Sequence, residues 1–212
     1  MEENHFERGD RKTTDTDVAL AKAYYPMLCE LAKESREVTF KEFVEEAKKR
    51  YPNVEEVQNA IPVSTGRRLE FIRRYTKRND LPDLSAWVVS QAGTNSEEYL
   101  ADFDPIAERE ASTQVNWDDY EGEWGDYVVE LVKSTIKVKR RKEKDALTLM
   151  GEHFLKVKDR IPNPKNRPLI EVTKHFRAGV IEGLMEGKDV EDVFNDVIFD
   201  MTESSSAGEA AV

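Results

Sequence analysis

Ten cations carry the most legible chemistry of this sequence: Arg67, Arg68, Arg73, Arg74, Lys77 and Arg78 in one run, and Lys137, Lys139, Arg140 and Arg141 in a second. Guanidinium and ammonium groups at this density suit contact with phosphate, and arginines at a helix start also reach base edges in a major groove. In the first run Arg67 and Arg68 are the residues placed for bases or phosphates, and the later four for phosphate. The second run, continuing through Lys142 and Lys144, either extends that footprint or forms a solvated face paired with Glu143 and Asp145.

Other reactive types are sparse. Cys29 is the only cysteine, so neither an intrachain disulfide nor a multi-cysteine zinc site can form, and no neighbour is placed to activate the thiol. His5, His153 and His175 are too scattered to define a metal site. Asp118, Asp119, Glu121, Glu123 and Asp126 crowd a short segment without a histidine or lysine partner, which reads as a solvated acidic loop or as an imitation of DNA phosphates. There is no phosphate-cradling glycine loop and no nucleophile elbow. The sequence therefore proposes no catalytic residue, no cofactor and no metal.

The elements that must position these groups are mostly helical. In Ser64–Arg78, Ser64 or Thr65 can cap the start, and Leu69, Ile72 and Tyr75 or Thr76 recur at the spacing of one helix face. Upstream, Asp15 or Thr16 can cap a helix interrupted or kinked at Pro26. Val38 to Phe40 reads as a short strand entering a helix capped by Thr39 and Glu42. Downstream, Leu84 to Ser90 reads as a strand, Gln91 to Ser96 as a hairpin tip and Glu97 to Phe103 as a returning strand or an irregular connection. That order is a winged helix-turn-helix, with the basic helix as reader and the hairpin as wing.

The motifs Val38-Thr-Phe-Lys-Glu-Phe43, Ser64-Thr-Gly-Arg-Arg-Leu69 and Leu81-Pro-Asp-Leu84 leading to Trp87-Val-Val89 resemble the winged-helix unit of the O6-alkylguanine alkyltransferase-like proteins, over about residues 36–103. The resemblance implies a DNA-contacting fold. It does not extend to alkyl transfer, because that family's Pro-Cys-His segment has no counterpart here.

The predicted fold is mainly α: a mobile N-terminus (1–14), a winged-helix-like unit (15–116), an acidic aromatic connection (117–126), a helical bundle (127–201) and a disordered tail (202–212). Trp117, Tyr120 and Trp124 imply that the connection packs on something. Net charge is −11 with 35% charged and 39% hydrophobic residues, so any nucleic-acid contact must be a local patch. No run suits a membrane span or a secretory signal, which points to a cytoplasmic protein. The leading function is non-catalytic binding of duplex DNA, as a regulator or mobile-element (phage) accessory protein, and two competitors stand beside it: an acidic protein-interaction or DNA-mimic inhibitor role against a nucleic-acid enzyme, and an enzyme whose catalytic residues follow no recognisable pattern. Surplus apolar stripe in the C-terminal helices leaves self-association open beside a closed bundle.

Overall fold

Helix starts in the computed structural model, which describes residues 13–90, 93, 95, 103–161 and 169–206, follow from local hydrogen-bond chemistry. Helix α1 (Asp15–Glu34) is capped by Thr14, not by Asp15 or Thr16. The Thr14 hydroxyl accepts from the Asp17 N–H at 3.2 Å, and the Asp17 carboxylate accepts from the Thr14 N–H at 2.8 Å. The reciprocal pair satisfies two donors that the first turn leaves open. Pro26 lies inside α1 without ending it. Buried neighbours on both sides of the proline, among them Tyr24, Tyr25, Leu28 and Leu31, hold the helix together across the missing donor.

Strand β1 (Val38–Thr39) leads into α2 (Phe40–Arg50) through the Thr39–Glu42 box that the sequence predicts. After α3 (Glu55–Gln58) and a tight turn at Pro62–Ser64, helix α4 (Thr65–Arg78) turns Leu69, Ile72, Tyr75 and Thr76 inward. Leu84–Trp87 is a 3-10 turn where a strand is predicted, and only Val88–Val89 (β2) is extended. β2 pairs with β1 in parallel, Val38 opposite Val88 and Thr39 opposite Val89. A tight turn can join only antiparallel strands, so this sheet is not a hairpin. The predicted wing tip and returning strand fall almost wholly outside the described residues.

The acidic aromatic segment is not a connection. Trp117 and Trp124 are buried in the same core as α1 and α4, with α5 (Pro105–Thr113) and α6 (Glu121–Ser134) on either side of Trp117. Trp124 stacks on Tyr25 with 4.2 Å between ring centroids, and Tyr75 meets both rings edge-on. The chain passes from one core to another at 135–142 instead, a stretch without helix or strand. Thr135, Ile136 and Val138 alternate there with lysines, and like charges recur four apart at Lys137/Arg141 and Arg140/Lys144, so a continuous helix is disfavoured.

A second apolar cluster then forms among α7 (Glu143–Val157), α8 (Leu169–Met185) and α9 (Val190–Ser206). Asp189 caps α9, as its position suggests, by accepting from the Glu191 N–H at 2.8 Å. Helix α9 continues through Ser206, into the stretch read as tail. The protein is mainly helical, and among the described residues no helix is long and apolar enough to cross a membrane.

Gly187, two residues past the end of α8, has φ +90°, and a Cβ there would lie 2.5 Å from the Lys139 carbonyl oxygen. Both features oppose a side chain. Gly187→Ala is expected to lower unfolding free energy by roughly 1 to 3 kcal/mol, measured by urea titration.

Candidate functional site: an ionic seam between two cores

The two arginines that open α4 do not face outward. Arg67 is 3% exposed and Arg68 is 0% exposed. Helical geometry explains this: Arg68 lies four residues before Ile72, and Arg67 four before Phe71, so both stand on the buried rows of the helix. At the end of these rows α8 crosses the turn at Pro62–Ser64, and its carboxylates meet the guanidinium groups.

Arg68 is held between Asp17 of α1 and Glu186, which follows α8, and its Nη2 is 3.9 Å from Glu182 Oε1. Arg67 lies 3.4 Å from Glu182 and 3.7 Å from Asp196 of α9. The Ser64 hydroxyl, instead of capping α4, donates to Glu182 Oε1 at 3.0 Å. Lys188 Nζ completes the cluster, 3.1 Å from Glu186 and 3.7 Å from Asp17. Three cations thus face four carboxylates inside the protein, Asp17 alone coming from the N-terminal core and Glu182, Glu186 and Asp196 from the C-terminal one.

Burial sets the protonation of this seam. For Asp17 desolvation is the largest influence and would raise its pKa, but Arg68, Lys188 and the Thr14 hydrogen bonds together hold the carboxyl well below the usual range. Glu186 is likewise lowered, burial being outweighed by Arg68 and Lys188, whereas burial pushes Glu182 up against the pull of Arg68 and Arg67. Burial, reinforced by Arg68, brings Lys188 down to about 8. An unpaired buried charge would be very costly, so the cluster is consistent with a mutual neutralisation that joins two helical units.

The remaining predicted phosphate contacts divide into paired and free groups. Arg73 lies 3.0 Å from Asp83, Arg74 3.1 Å from Glu70, and Arg78 pairs with Glu130 across α6. Lys77 is exposed. In the second block Arg140 pairs with Glu55 at 2.7 Å, and Arg141 donates to the carbonyls of Leu184 at 3.0 Å and Lys188 at 2.6 Å. Lys137 and Lys139 are exposed, with Lys142 and Lys144 beyond them. The structure therefore does not bring the ten cations onto one rod. It directs Arg67 and Arg68 inward and leaves a short lysine-rich strap at 137–144.

Sequence reasoning missed the partners. Glu182 and Glu186, four apart in the otherwise apolar Ile181-Glu-Gly-Leu-Met-Glu186, were the available signal, since acidic groups on a buried stripe require buried cations.

Cys29 is buried, and desolvation pushes its thiol up to about 12, which fits a structural role. His153 packs edge-on against Phe194 in the second core; His5 lies outside the described residues, as does the side chain of His175. Among the described residues no group of three or more histidines, cysteines or acids could hold a metal ion. A groove of about 910 Å³ runs past Trp87, Ile106 and Arg109, but Arg109 is engaged by Glu37 at 3.3 Å and by the Ala86 carbonyl at 3.0 Å. No family model matches the chain, and neither does any curated protein or solved structure.

Proposed function

We propose that the protein is a non-catalytic interaction protein that presents an acidic surface to a cationic partner, such as the DNA-binding groove of a nucleic-acid enzyme. The observation that carries this reading is the burial of Arg67 and Arg68 against carboxylates of the protein itself, which makes neither of them available to an anion outside a chain of net charge −11. What remains outside is concentrated: Asp104 to Glu130 contains nine carboxylates and one cation, Arg109. Asp118, Asp119, Glu121, Glu123 and Asp126 are exposed on a segment anchored by the buried Trp117 and Trp124, so the charges have a fixed scaffold instead of a loose loop. Fixed negative charges at helical spacing can steer and hold a basic surface.

Duplex DNA binding is the second reading. It is supported by the exposed lysines of the 137–144 strap, by Lys77, and by the succession of α2, α3 and α4, which keeps the order of a helix-turn-helix even without a hairpin in the sheet. A salt series separates the two, because phosphate contact weakens steeply as salt rises. With a fluorescent duplex, anisotropy is expected to show no saturable binding at physiological ionic strength. Binding that strengthens as salt is lowered, and disappears when Lys137, Lys139, Lys142 and Lys144 are changed to Glu, would transfer the assignment to DNA. Under the leading reading, reversing Asp119, Glu123 and Asp126 to Lys abolishes co-purification of a basic partner and leaves the melting temperature unchanged.

A further inference from the structure

One peptide bond in the stretch that joins the two cores is left free on both sides. Residues 135–142 form neither helix nor strand, and both ends of the stretch are extended, with ψ 136° at Thr135 and 150° at Lys142. The Ile136 N–H donates to the Thr13 carbonyl at 3.0 Å, and the Arg141 N–H donates to the Met185 carbonyl at 2.9 Å. Between these anchors Lys137 is exposed and Val138 half-buried, and among the described residues no hydrogen bond engages the peptide groups of either.

The neighbouring cations stand on bonds that are tied down. The Lys139 carbonyl lies against Gly187, where an added Cβ would come within 2.5 Å of its oxygen. Arg141 is fastened by its N–H and by a guanidinium that reaches the Leu184 and Lys188 carbonyls, which also holds the bond between Arg140 and Arg141. The Lys142 carbonyl accepts from the Asp145 and Ala146 N–H groups, both at 3.0 Å, and Lys133 and Lys144 are inside helices. Arg36 lies outside helix and strand, but its N–H binds the Leu31 carbonyl at 3.0 Å and its side chain is held by Glu46 at 2.9 Å.

The anchors also sort by half. Ile136 is tied to Thr13, before the joint, while Lys139 and Arg141 are tied to Leu184, Met185, Gly187 and Lys188, after it. A break between Lys137 and Val138 therefore disturbs none of them. An endoprotease holds an extended backbone through its free N–H and C=O groups, in the manner of an added strand, and exposed loop stretches are where nicking concentrates.

We propose that the bond between Lys137 and Val138 is a processing site for an endoprotease of trypsin-type specificity, and that the product is a two-chain protein held together across the ionic seam. In the cut, water adds across the C–N bond, leaving a carboxylate on Lys137 and an amine on Val138, with the protease as catalyst. Arg68 with Glu186, Arg67 with Glu182 and Asp196, Lys188 with Asp17, and Arg140 with Glu55 all span the two halves and survive the cut. The acidic face of α6 stays on the first half.

Brief digestion of the full chain with trypsin near neutral pH, followed by mass spectrometry, tests the idea. Within the described residues the first cut is expected after Lys137. The nicked product should run as one species in size-exclusion chromatography, and its melting temperature should rise with protein concentration, as for two associating chains. Lys137→Gln, at an exposed side chain, should slow cleavage within 135–142 about tenfold, since the remaining sites must first open an anchor worth a hydrogen bond. A first cut anywhere else in the described residues would overturn the proposal. So would a Lys137→Gln chain cut in this stretch as fast as the wild type, or nicked halves that separate on the column or melt independently of concentration.

Discussion

Replacing Arg68 with alanine is expected to destabilise the protein by about 3 to 5 kcal/mol, because Asp17 and Glu186 would then be buried without their main counter-charge. For a chain of this size that corresponds to a fall in melting temperature of roughly 10 °C. Screening offers a check on the cause: a buried pair is little affected by salt, so the loss should be nearly the same at low and high ionic strength. Arg68→Met combined with Asp17→Asn and Glu186→Gln should recover much of the loss, since it removes the stranded charges as well as the cation. A single Arg68→Ala variant as stable as the wild type would remove the ionic seam from any account of how the two cores are joined.

The seam also fixes the direction of the pH dependence. Asp17 and Glu186 have folded pKa values below their unfolded ones, so their contribution is present above the ordinary carboxylate values of 3.8 and 4.5 and is lost as pH falls below them. Lys188 acts at the other end. Its folded value of about 8 lies below the ordinary 10.5, so the unfolded chain binds the extra proton and stability rises as pH climbs from about 8 towards 10.5. Lys188→Met should flatten that alkaline rise in a denaturation series and also weaken the acid limb, because Lys188 helps to hold Asp17 and Glu186 down.

Trp124→Ala should cost about 3 to 5 kcal/mol by urea denaturation, the range for truncating a large buried aromatic. The ring is stacked on Tyr25, meets Tyr75 edge-on at 5.0 Å and is tilted against Tyr127 at 5.7 Å, so its removal leaves a cavity with three aromatic walls. The same substitution distinguishes a core residue from one on a connection between domains. If Trp124→Ala were neutral, α6 would not belong to the first core, and the acidic surface it carries would lose its scaffold.

Much of the helical frame could be read locally. Thr39 with Glu42 and the Leu69–Ile72–Tyr75 row each contain their own structural reason at spacings of four residues or fewer. The failures are non-local. Arg67 and Arg68 look like surface cations until Glu182, more than a hundred residues later, is known to reach them. The parallel β1–β2 pair depends on a partner that no neighbouring turn announces, so Val88–Val89 invites the wrong assignment to a hairpin. For the segment 135–142 a basic, partly apolar run suggested helix, although its β-branched residues and repeated like charges argue for extended chain. The aromatic residues at 117–124 did signal packing, but not that they complete the first core.

The β1–β2 pair has a consequence for the order of events in folding. All of α2, α3 and α4 lies between Val38 and Val88, so the two-residue ladder cannot close until that whole stretch has condensed and brought its ends together. A chain emerging from a ribosome would have α1 and the Thr39 cap available well before Val88 is synthesised. The ladder is therefore a late clasp, and the amide hydrogens that it binds should gain protection from exchange after those in the middle of α4.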